Sequence, residues 1–268
     1  MKVGIIGTGA RAQARERAVS ASAIVTFQGV LGATPLDAFL EPLDIVFVSA
    51  PTAEHFRIAE AATKRGVHVF LEWPPATSIR ECQAIIELSE EAGVEVGVSR
   101  PLRHHPDFSS MPEGARASLI LARWEIPVKE DAAWPRWLAD AVDLCCALSQ
   151  SSSVQRIDAE AVRNASAWPD AVAFGLRFHN SSYAQVSIRR STGGAGGVVY
   201  AAGTGFEIEV ALRENGAGSR AYVPEQWLVE AETWGFLQDL AVQRPARVSI
   251  LDGLHTMRLV ERLMKKLR

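Results

Sequence analysis

The sequence predicts an α/β protein, in which an N-terminal parallel sheet is followed by an α+β domain with a mostly antiparallel open sheet. Over about the first 105 residues, short and nearly continuous apolar runs alternate with amphipathic helical segments, as parallel strands covered on both faces do. Beyond that point the apolar runs are longer, and several alternate strictly with polar residues, which indicates strands with one covered face. We therefore expect two domains, at residues 1–105 and 106–268.

Composition excludes several classes of protein. With 48% hydrophobic and 22% charged residues, the chain can bury a substantial core. A net charge of −3 gives no basic footprint, so nucleic acid is not expected as a partner. No apolar stretch approaches the ~20 residues that span a bilayer, and no leader precedes "KVGIIG", so we expect a cytoplasmic protein without membrane contacts. The three cysteines have no metal-binding spacing, and no metal is expected.

The first domain follows a strand and helix rhythm. Strands are expected, in order, at "KVGIIG", "AIVTF", "DIVFVSAP", "VHVFLEWP" and "VEVGVS". The helices between them carry local start and stop signals. Ser78 with Glu81 and Thr34 with Asp37 have the spacing of capping boxes, and Gly66 is placed to end a helix. The last strand is preceded by "SIRECQAIIELSEEAG", an amphipathic helix.

The second domain reads as a sheet with helices packed against it. Strands are expected in "RASLILARWEIP", "AVAFGLRF", "YAQVSIRRS" and "FEIEVALRE". In the second of these, four alternating apolar side chains share one face: Val172, Phe174, Leu176 and Phe178. Helices are expected at about residues 134–149 and 225–243 and from Ser249 onward, and we expect all three to pack beneath this sheet.

A glycine-rich loop joins the first strand to the first helix. Gly7, Gly9 and Ala12 occupy the three small positions of a G-x-G-x-x-G/A pattern. The first glycine permits a tight turn, the second lets a pyrophosphate approach the backbone, and the third position needs a small residue for close packing. A dinucleotide site is predicted here, and the alternative is a Rossmann turn without a ligand. The expected cofactor-binding loop residues are Gly7, Thr8, Gly9, Ala10, Arg11 and Ala12.

The adenosine end of this site is expected to be shortened. An acidic residue about 20 positions downstream usually binds the ribose hydroxyls, but Gln28 stands at the end of the second strand. Too few residues separate Phe27 from Pro35 for the usual helix and strand. No Arg or Lys follows Gln28 directly, so the choice between NAD and NADP stays open.

Two motifs carry a family resemblance. "SAPTAEHF" at 49–56 and "GVHVFLEWPPATSIRECQAIIELSEEAGVEVGVSRPLRHHPDF" at 66–108 resemble the glucose-fructose oxidoreductase and inositol dehydrogenase family, Gfo/Idh/MocA. The resemblance covers the N-terminal domain and continues at the C-terminal end. It implies hydride transfer between a nicotinamide cofactor and a sugar or polyol. Beyond the loop, the expected cofactor contacts are Gln28, which can bond to a ribose hydroxyl, and Ala50, Pro51, Thr52, His55 and Glu72.

The catalytic corner of that family is altered here. The usual Glu-Lys-Pro reads Glu72, Trp73, Pro74, and an indole is only a hydrogen-bond donor, so it cannot act as general acid or base. The family's Asp and His on a later helix align with Arg136 and Asp140. Biliverdin reductases also resemble this corner, with Glu-Tyr-Pro. They reduce a conjugated acceptor. Such an acceptor delocalises the negative charge that arrives with the hydride, so a lysine beside the reacting carbon is less necessary.

Each candidate residue has an alternative structural role. Glu72 either touches the nicotinamide side of the cofactor or holds the corner, and Trp73 either stacks on a planar ligand or packs between domains. His55 either contacts the cofactor or sits in a helix cap. Arg136 and Asp140 are either catalytic or a helical ion pair. The candidate catalytic residues are Glu72, Trp73, Arg136 and Asp140, and the candidate substrate residues are Trp73, Arg103, His104 and Trp137.

The residues and the resemblance together predict an NAD(P)-dependent oxidoreductase-like protein. It would transfer hydride to a small or planar organic substrate without the usual lysine. The alternative is an inactive family homologue that binds a ligand or a protein partner. A homodimer or higher homo-oligomer is expected, with the second sheet as one surface available for that contact.

Overall fold

A computed structural model describes residues 1–112, 114–128, 134–163, 168–192, 195–212 and 223–267. The chain forms two compact units. The first contains Met1–Pro101 and Glu225–Met257, and the second contains Leu102–Pro224 and Arg258–Arg268. Glu225–Met257 belongs to the first unit although it comes late in the sequence. A single domain boundary near residue 105 does not describe this arrangement.

The elements follow one another in this order along the chain. The strands are β1 (Lys2–Gly7), β2 (Thr26–Val30), β3 (Ile45–Ser49), β4 (His68–Leu71), β5 (Val96–Val98), β6 (Ala117–Pro127), β7 (Val154–Val162), β8 (Ala171–Phe178), β9 (Tyr183–Ser191), β10 (Gly196–Gly203) and β11 (Phe206–Ala211). The helices are α1 (Ala10–Ser20), α2 (Leu36–Leu40), α3 (Thr52–Thr63), α4 (Ile79–Ala92), α5 (Trp134–Ser149), α6 (Glu225–Ala241) and α7 (Ile250–Lys266). Within the described ranges, no helix has both the length and the hydropathy to cross a bilayer.

The first unit is built on a parallel sheet of the Rossmann type, as predicted. Its strand order is β2-β1-β3-β4-β5, and every pairing is parallel. The carboxyl ends of the strands therefore meet at one edge of the sheet. Gly7 at the end of β1 pairs with Ser49 at the end of β3. Ligands bind at this edge in open α/β sheets, which makes it the place to look for a site.

Alternating side chains of the strands cover the two faces of this sheet. On one face, Val46, Val48 and Leu71 pack with buried residues of α3 and α4. On the other face, residues such as Phe47 and Phe70 pack with α1 and α6. We expected α6 beneath the second sheet. That expectation was wrong, because the apolar stripe of α6 packs against α1 and the first sheet.

The connection from β2 to β3 is short, as the sequence predicts. It contains a single five-residue helix, α2, and β2 is the edge strand of a five-stranded sheet. The predicted capping box of Thr34 and Asp37 was wrong, since Pro35 precedes α2 and no side chain caps it. The corresponding box at α4 is confirmed, because Ser78 accepts a hydrogen bond from the Glu81 backbone N–H at 3.1 Å.

The second unit contains a six-stranded sheet in the order β11-β10-β6-β9-β8-β7. Only the pairing of β6 with β9 is parallel, so the expected mostly antiparallel sheet is confirmed. The face that carries the four alternating residues of β8 is buried, and α5 packs against β6 and β9. On the opposite face of β6, Leu119 and Leu121 are exposed.

Two strands of this sheet were not predicted from the sequence. β7 carries alternating charged residues, including Asp158 and Glu160, whose side chains are exposed. β10 reads "GGVVYAAG" and consists largely of glycine and alanine, which have low strand propensity. Both are held in the sheet by pairing with neighbouring strands, a long-range effect that local pattern does not contain.

Candidate functional site

The glycine loop has the backbone geometry that a phosphate site needs. Gly7 has φ +113°, and a Cβ there would lie 2.3 Å from the Ser49 carbonyl oxygen. The position therefore admits only glycine while β1 and β3 stay paired. Gly9 has φ +103°, and no atom lies within 4 Å of where its Cβ would be. The space in front of the α1 N-terminus is thus open, and the first turn of α1 carries no acidic residue and no side-chain cap.

Beside this loop, the carboxylate of Glu72 collects hydrogen bonds from several elements. Glu72 follows β4 and is 8% exposed. Its Oε1 accepts bonds from Arg15 Nε at 2.9 Å, from Arg15 Nη2 at 2.8 Å and from Ser49 Oγ at 3.2 Å. Its Oε2 accepts one from Arg11 Nη1 at 2.6 Å. A carboxylate has about four acceptor positions, so these donors use nearly all of its capacity.

Arg15 is the centre of a buried charge network. Its side chain is fully buried, and it contacts Glu232 Oε1 at 2.7 Å and Thr233 Oγ1 at 3.0 Å in addition to Glu72. Its guanidinium carbon lies 4.5 Å from the centre of the Phe70 ring, a favourable cation–π distance. Because both acids pair with this cation, α1, α6 and the end of β4 are joined by charges removed from water.

These cations change the acidity of Glu72. Burial alone would raise the pKa of Glu72, but the charges and hydrogen bonds of Arg15 and Arg11 outweigh burial and hold this pKa at about 2. Glu72 therefore remains ionised throughout the physiological range. A group with this pKa is a poor general acid or base near neutral pH, so its geometry favours a positioning role over proton transfer.

This acidity predicts a loss of stability in acid. The folded-state pKa of Glu72, about 2, lies below the ordinary value of 4.5. Its contribution to the free energy of unfolding is therefore present above pH 4.5 and is lost as the pH falls toward 2. From the two values we expect a loss of roughly 3 kcal/mol from this group. About 2 kcal/mol of this loss falls between pH 7 and pH 3. Urea unfolding of the wild type and Glu72→Gln over that range measures it, and parallel pH profiles of the two proteins would contradict it.

The tryptophan of the corner is covered on one face. The Arg100 guanidinium carbon lies 3.5 Å from the centre of the Trp73 ring, in a cation–π stack. Trp73 is half-buried and packs against the apolar core beside α3 and α4. A permanent cation therefore lies against the indole that replaces the lysine. Stacking of a planar ligand on Trp73 would have to use the remaining surface of the ring.

His55 lies in the first turns of α3 and connects two strand ends. Its Nδ1 lies 3.0 Å from the Pro74 carbonyl oxygen, and its Nε2 lies 2.9 Å from the Ala50 carbonyl oxygen. The ring is 1% exposed. Since both nitrogens face backbone carbonyls inside the first unit, this geometry favours a positioning role for His55 over direct contact with a cofactor.

The other predicted cofactor residues line the exposed part of the same edge. Thr8, Gly9 and Ala10 are exposed, and Ala10, Arg11 and Ala12 are the first three residues of α1. The segment after β3 places Ala50, Pro51 and Thr52 at the start of α3. Gln28 is on the exposed side of β2, the edge strand nearest to β1. The structure thus brings the predicted loop residues, the end of β3 and Glu72 together within the first unit.

The remaining candidates belong to the second unit. Arg136 and Asp140 lie four residues apart on α5, with Arg136 Nε 3.8 Å from Asp140 Oδ2. Trp137 is half-buried on the same helix. Arg103 makes a two-pronged ion pair with Asp143, at 2.8 Å from Nε and 2.7 Å from Nη2. His104 is half-buried in a 3₁₀ turn after β5.

The structure places two residues at the candidate site that sequence reasoning missed. Arg15 and Glu232 form the heart of the network around Glu72. A signal for both was present in the sequence, since each is a charged residue on an apolar helical stripe. Arg15 lies between the buried Ala12 and Ala18 of α1, and Glu232 follows the buried Leu228 by one turn. A charge at such a position is buried and needs a partner.

The residues of the first unit fit a dinucleotide at the loop. The open space at Gly9 is the opening that a pyrophosphate requires at a helix N-terminus. At the nicotinamide end, Glu72 has little capacity left to hydrogen-bond a cofactor, because Arg11, Arg15 and Ser49 already donate to its carboxylate. Across the described residues no cluster of three or more His, Cys, Asp or Glu side chains is arranged to hold a metal ion.

Comparison with known proteins shows that part of the first unit is similar to an oxidoreductase family. Residues 3–100 match the model of the Gfo/Idh/MocA oxidoreductase family, described as a NAD-binding Rossmann fold. The chain is 34% identical over 71 residues to UDP-N-acetylglucosamine 3-dehydrogenase of Acidithiobacillus ferrooxidans. That aligned segment is 26% of this chain and 23% of the relative, so the sequence match spans about a quarter of either protein.

Solved structures extend the likeness of the fold to the whole chain. A crystal form of the same Acidithiobacillus ferrooxidans enzyme has a TM-score of 0.83 at 19% identity, covering 100% of this chain and 97% of that one. A scyllo-inositol dehydrogenase from Lactobacillus casei, solved with NAD(H) and scyllo-inositol, has a TM-score of 0.77 at 14% identity, covering 100% and 96%. At such identities the comparison establishes the fold.

Proposed function

Because residues 3–100 match the Gfo/Idh/MocA oxidoreductase family, we propose that this chain is a nicotinamide-dinucleotide-dependent oxidoreductase with a small organic substrate. The observation that carries the proposal is the loop at the carboxyl edge of the first sheet. Gly7 closes the turn against Ser49, and Gly9 leaves the α1 N-terminus open. An N-terminus of this kind binds anions through its free N–H groups and the helix dipole.

The residues around Trp73 favour a substrate whose reduction needs no lysine. A bound nicotinamide would supply or accept the hydride. Trp73 has no titratable proton near neutrality, and Arg100, stacked on it, is a permanent cation. Such a corner can stabilise developing negative charge but cannot exchange a proton. We therefore propose a conjugated C=C or C=N acceptor, or another small planar compound, in preference to a simple alcohol or ketone pair.

The nucleotide preference is proposed to be weak. Gln28 carries neither the carboxylate that selects the free ribose hydroxyls nor the cation that binds a 2′-phosphate. The sequence from Gln28 to Leu36 contains no charged residue. We propose that NAD and NADP bind with affinities that differ by less than about tenfold, which corresponds to roughly 1.4 kcal/mol.

Thermal unfolding in the presence of each nucleotide tests the proposal. A ligand that binds only the folded state raises its stability by RT ln(1 + [L]/Kd). We expect at least one of NAD, NADH, NADP and NADPH to raise Tm at millimolar concentration. Oxidation of the reduced form is then followed with panels of sugars, polyols, imines and conjugated carbonyl compounds. If none of the four nucleotides changes Tm, the oxidoreductase proposal is wrong.

A second candidate function is a family homologue that binds its ligand without catalysis. The specific observation in its favour is the state of Glu72, whose carboxylate is ionised and bonded to two arginines. A corner without a proton-exchanging group is compatible with a binding module. Nucleotide binding without turnover of any acceptor in the panel would favour this candidate, whereas turnover abolished by Trp73→Ala would exclude it.

We also propose that the chain acts as a homodimer or higher homo-oligomer. The open face of the second sheet supports this proposal, because Leu119 and Leu121 are large apolar side chains that are 38% and 40% exposed. Apolar residues grouped on an open sheet face are typical of contact surfaces. Light scattering of the purified chain at micromolar concentration measures the mass, and a monomer would contradict the proposal.

A further inference from the structure

Arg11 connects the glycine loop to two different acids. It is the second residue of α1, and its side chain is 25% exposed. Towards the interior, its Nη1 donates to Glu72 Oε2 at 2.6 Å. Towards solvent, its Nε and Nη2 donate to Glu225 Oε1, at 3.1 Å and 2.5 Å. The guanidinium therefore has a buried edge on Glu72 and an outer edge on Glu225.

The two contacts of Arg11 differ in how easily they can be exchanged. Glu72 is buried and part of the network with Arg15, so its contact fixes the position of the guanidinium. Glu225 is the first residue of α6, and its side chain is 52% exposed. Exposed ion pairs contribute little net stability. The outer edge of Arg11 can therefore change its anionic partner without unfolding the network.

The outer edge also has the chemistry that a pyrophosphate requires. Two parallel N–H donors of arginine match two oxygens of a phosphate group, and such charge-assisted pairs are among the stronger hydrogen bonds. Arg11 follows the open position at Gly9 by two residues. Its partner Glu225 is an intramolecular carboxylate bonded to the same N–H groups. A bound pyrophosphate and Glu225 would thus compete for one set of donors.

We propose that Arg11 is a binding residue for the pyrophosphate of the cofactor, and that Glu225 is an internal competitor which occupies Arg11 in the absence of nucleotide. Binding exchanges one anion for another on the Nε and Nη2 edge, while Nη1 stays on Glu72. The inference rests on the proposed nucleotide binding. Competition by Glu225 would make nucleotide binding weaker than it would be if Arg11 had no carboxylate on its outer edge.

Removing the competitor is the test. Glu225→Gln keeps the shape of the side chain and removes its charge. We expect this change to tighten NADH binding by roughly three- to tenfold in titration calorimetry, as loss of a weak surface ion pair should. Arg11→Met should weaken binding about tenfold or more. In the Arg11→Met background, Glu225→Gln should have no further effect, because its only proposed target is gone.

The structure offers a matched control on the same two helices. Glu230 pairs with Arg17 at 2.8 Å, so Glu230→Gln removes the same charge one and a half turns further along α6. We expect this variant to change NADH affinity by less than about twofold, since its partner is remote from the loop. If Glu225→Gln and Glu230→Gln change NADH affinity equally, the proposed exchange of anions on Arg11 is wrong. The effect would then come from the loss of one negative charge on α6.

The outcomes separate this inference from the proposed function. If the wild type and Glu225→Gln bind NADH equally well, the proposal that Glu225 competes for Arg11 is wrong, and the proposal that the chain binds nucleotide is supported. If Arg11→Met binds as wild type does, Arg11 is not a pyrophosphate ligand. If neither the wild type nor Glu225→Gln binds any nucleotide, both proposals are overturned. Tighter binding by Glu225→Gln alone supports both.

Discussion

Replacing Glu72 with glutamine is expected to lower the free energy of unfolding at neutral pH by roughly 3–5 kcal/mol, the usual result of removing one partner from a buried ion pair. The reason is that Arg15, fully buried, would keep only Glu232 as a charged partner. Arg11 would also lose its interior contact. Urea unfolding monitored by tryptophan fluorescence gives the value by linear extrapolation.

A surface pair between the same helices is the control for this prediction. Arg17 is 50% exposed and bonds to Glu230 at 2.8 Å, and we expect Glu230→Gln to cost less than about 1 kcal/mol. If Glu72→Gln does not fold, the triple variant Glu72→Gln, Arg15→Met, Glu232→Gln removes the rest of this buried charge as well. We expect the triple variant to recover part of the loss. A cost of Glu72→Gln no larger than that of Glu230→Gln would contradict a buried network.

Gly9→Ala is expected to abolish most of the affinity for nucleotide while leaving the protein folded. The added methyl group meets no protein atom within 4 Å, so there is no clash to unfold the sheet. It does project into the space that a pyrophosphate needs, and we expect NADH affinity to fall by roughly ten- to a hundredfold. Titration calorimetry measures this change.

Backbone strain must be separated from loss of the site in that variant. Gly9 has φ +103°, and alanine in such a conformation costs roughly 1–3 kcal/mol. Gly93 ends α4 with φ +66°, and a Cβ added there would also meet no atom within 4 Å, which makes Gly93→Ala a control for replacing a positive-φ glycine away from the loop. Comparable NADH affinities of Gly9→Ala and Gly93→Ala would contradict a nucleotide site at the loop.

Local sequence patterns predicted the first sheet and its loop well. The apolar runs, the glycines at 7 and 9 and the capping box at Ser78 are all encoded within a few residues, and the family resemblance is confirmed for residues 3–100. The shortened β2 to β3 connection followed from counting residues before Pro35. Such features depend on backbone sterics and short-range hydrogen bonds, which a sequence shows directly.

The parts that could not be predicted depend on contacts between distant segments. The predicted position of α6 was wrong, because the apolar residues of α6 fit either sheet, whereas their packing on α1 and the buried Arg15–Glu232 pair hold α6 at the first sheet. β10 has glycine or alanine at five of its eight positions and is held by β6 and β11. The role of Glu72 was left open, because a sequence does not show that Arg11 and Arg15 converge on the same carboxylate.

The central claim is that the loop between β1 and α1 binds a nicotinamide dinucleotide. Hydrogen–deuterium exchange of the wild-type chain with and without millimolar NADH tests it most directly, since exchange reports local protection. We expect slower exchange in the segment from Gly7 to Gln13, with smaller changes at the start of α3 and α6. Binding of NADH with unchanged exchange in that segment, and protection elsewhere in the chain, would contradict the claim.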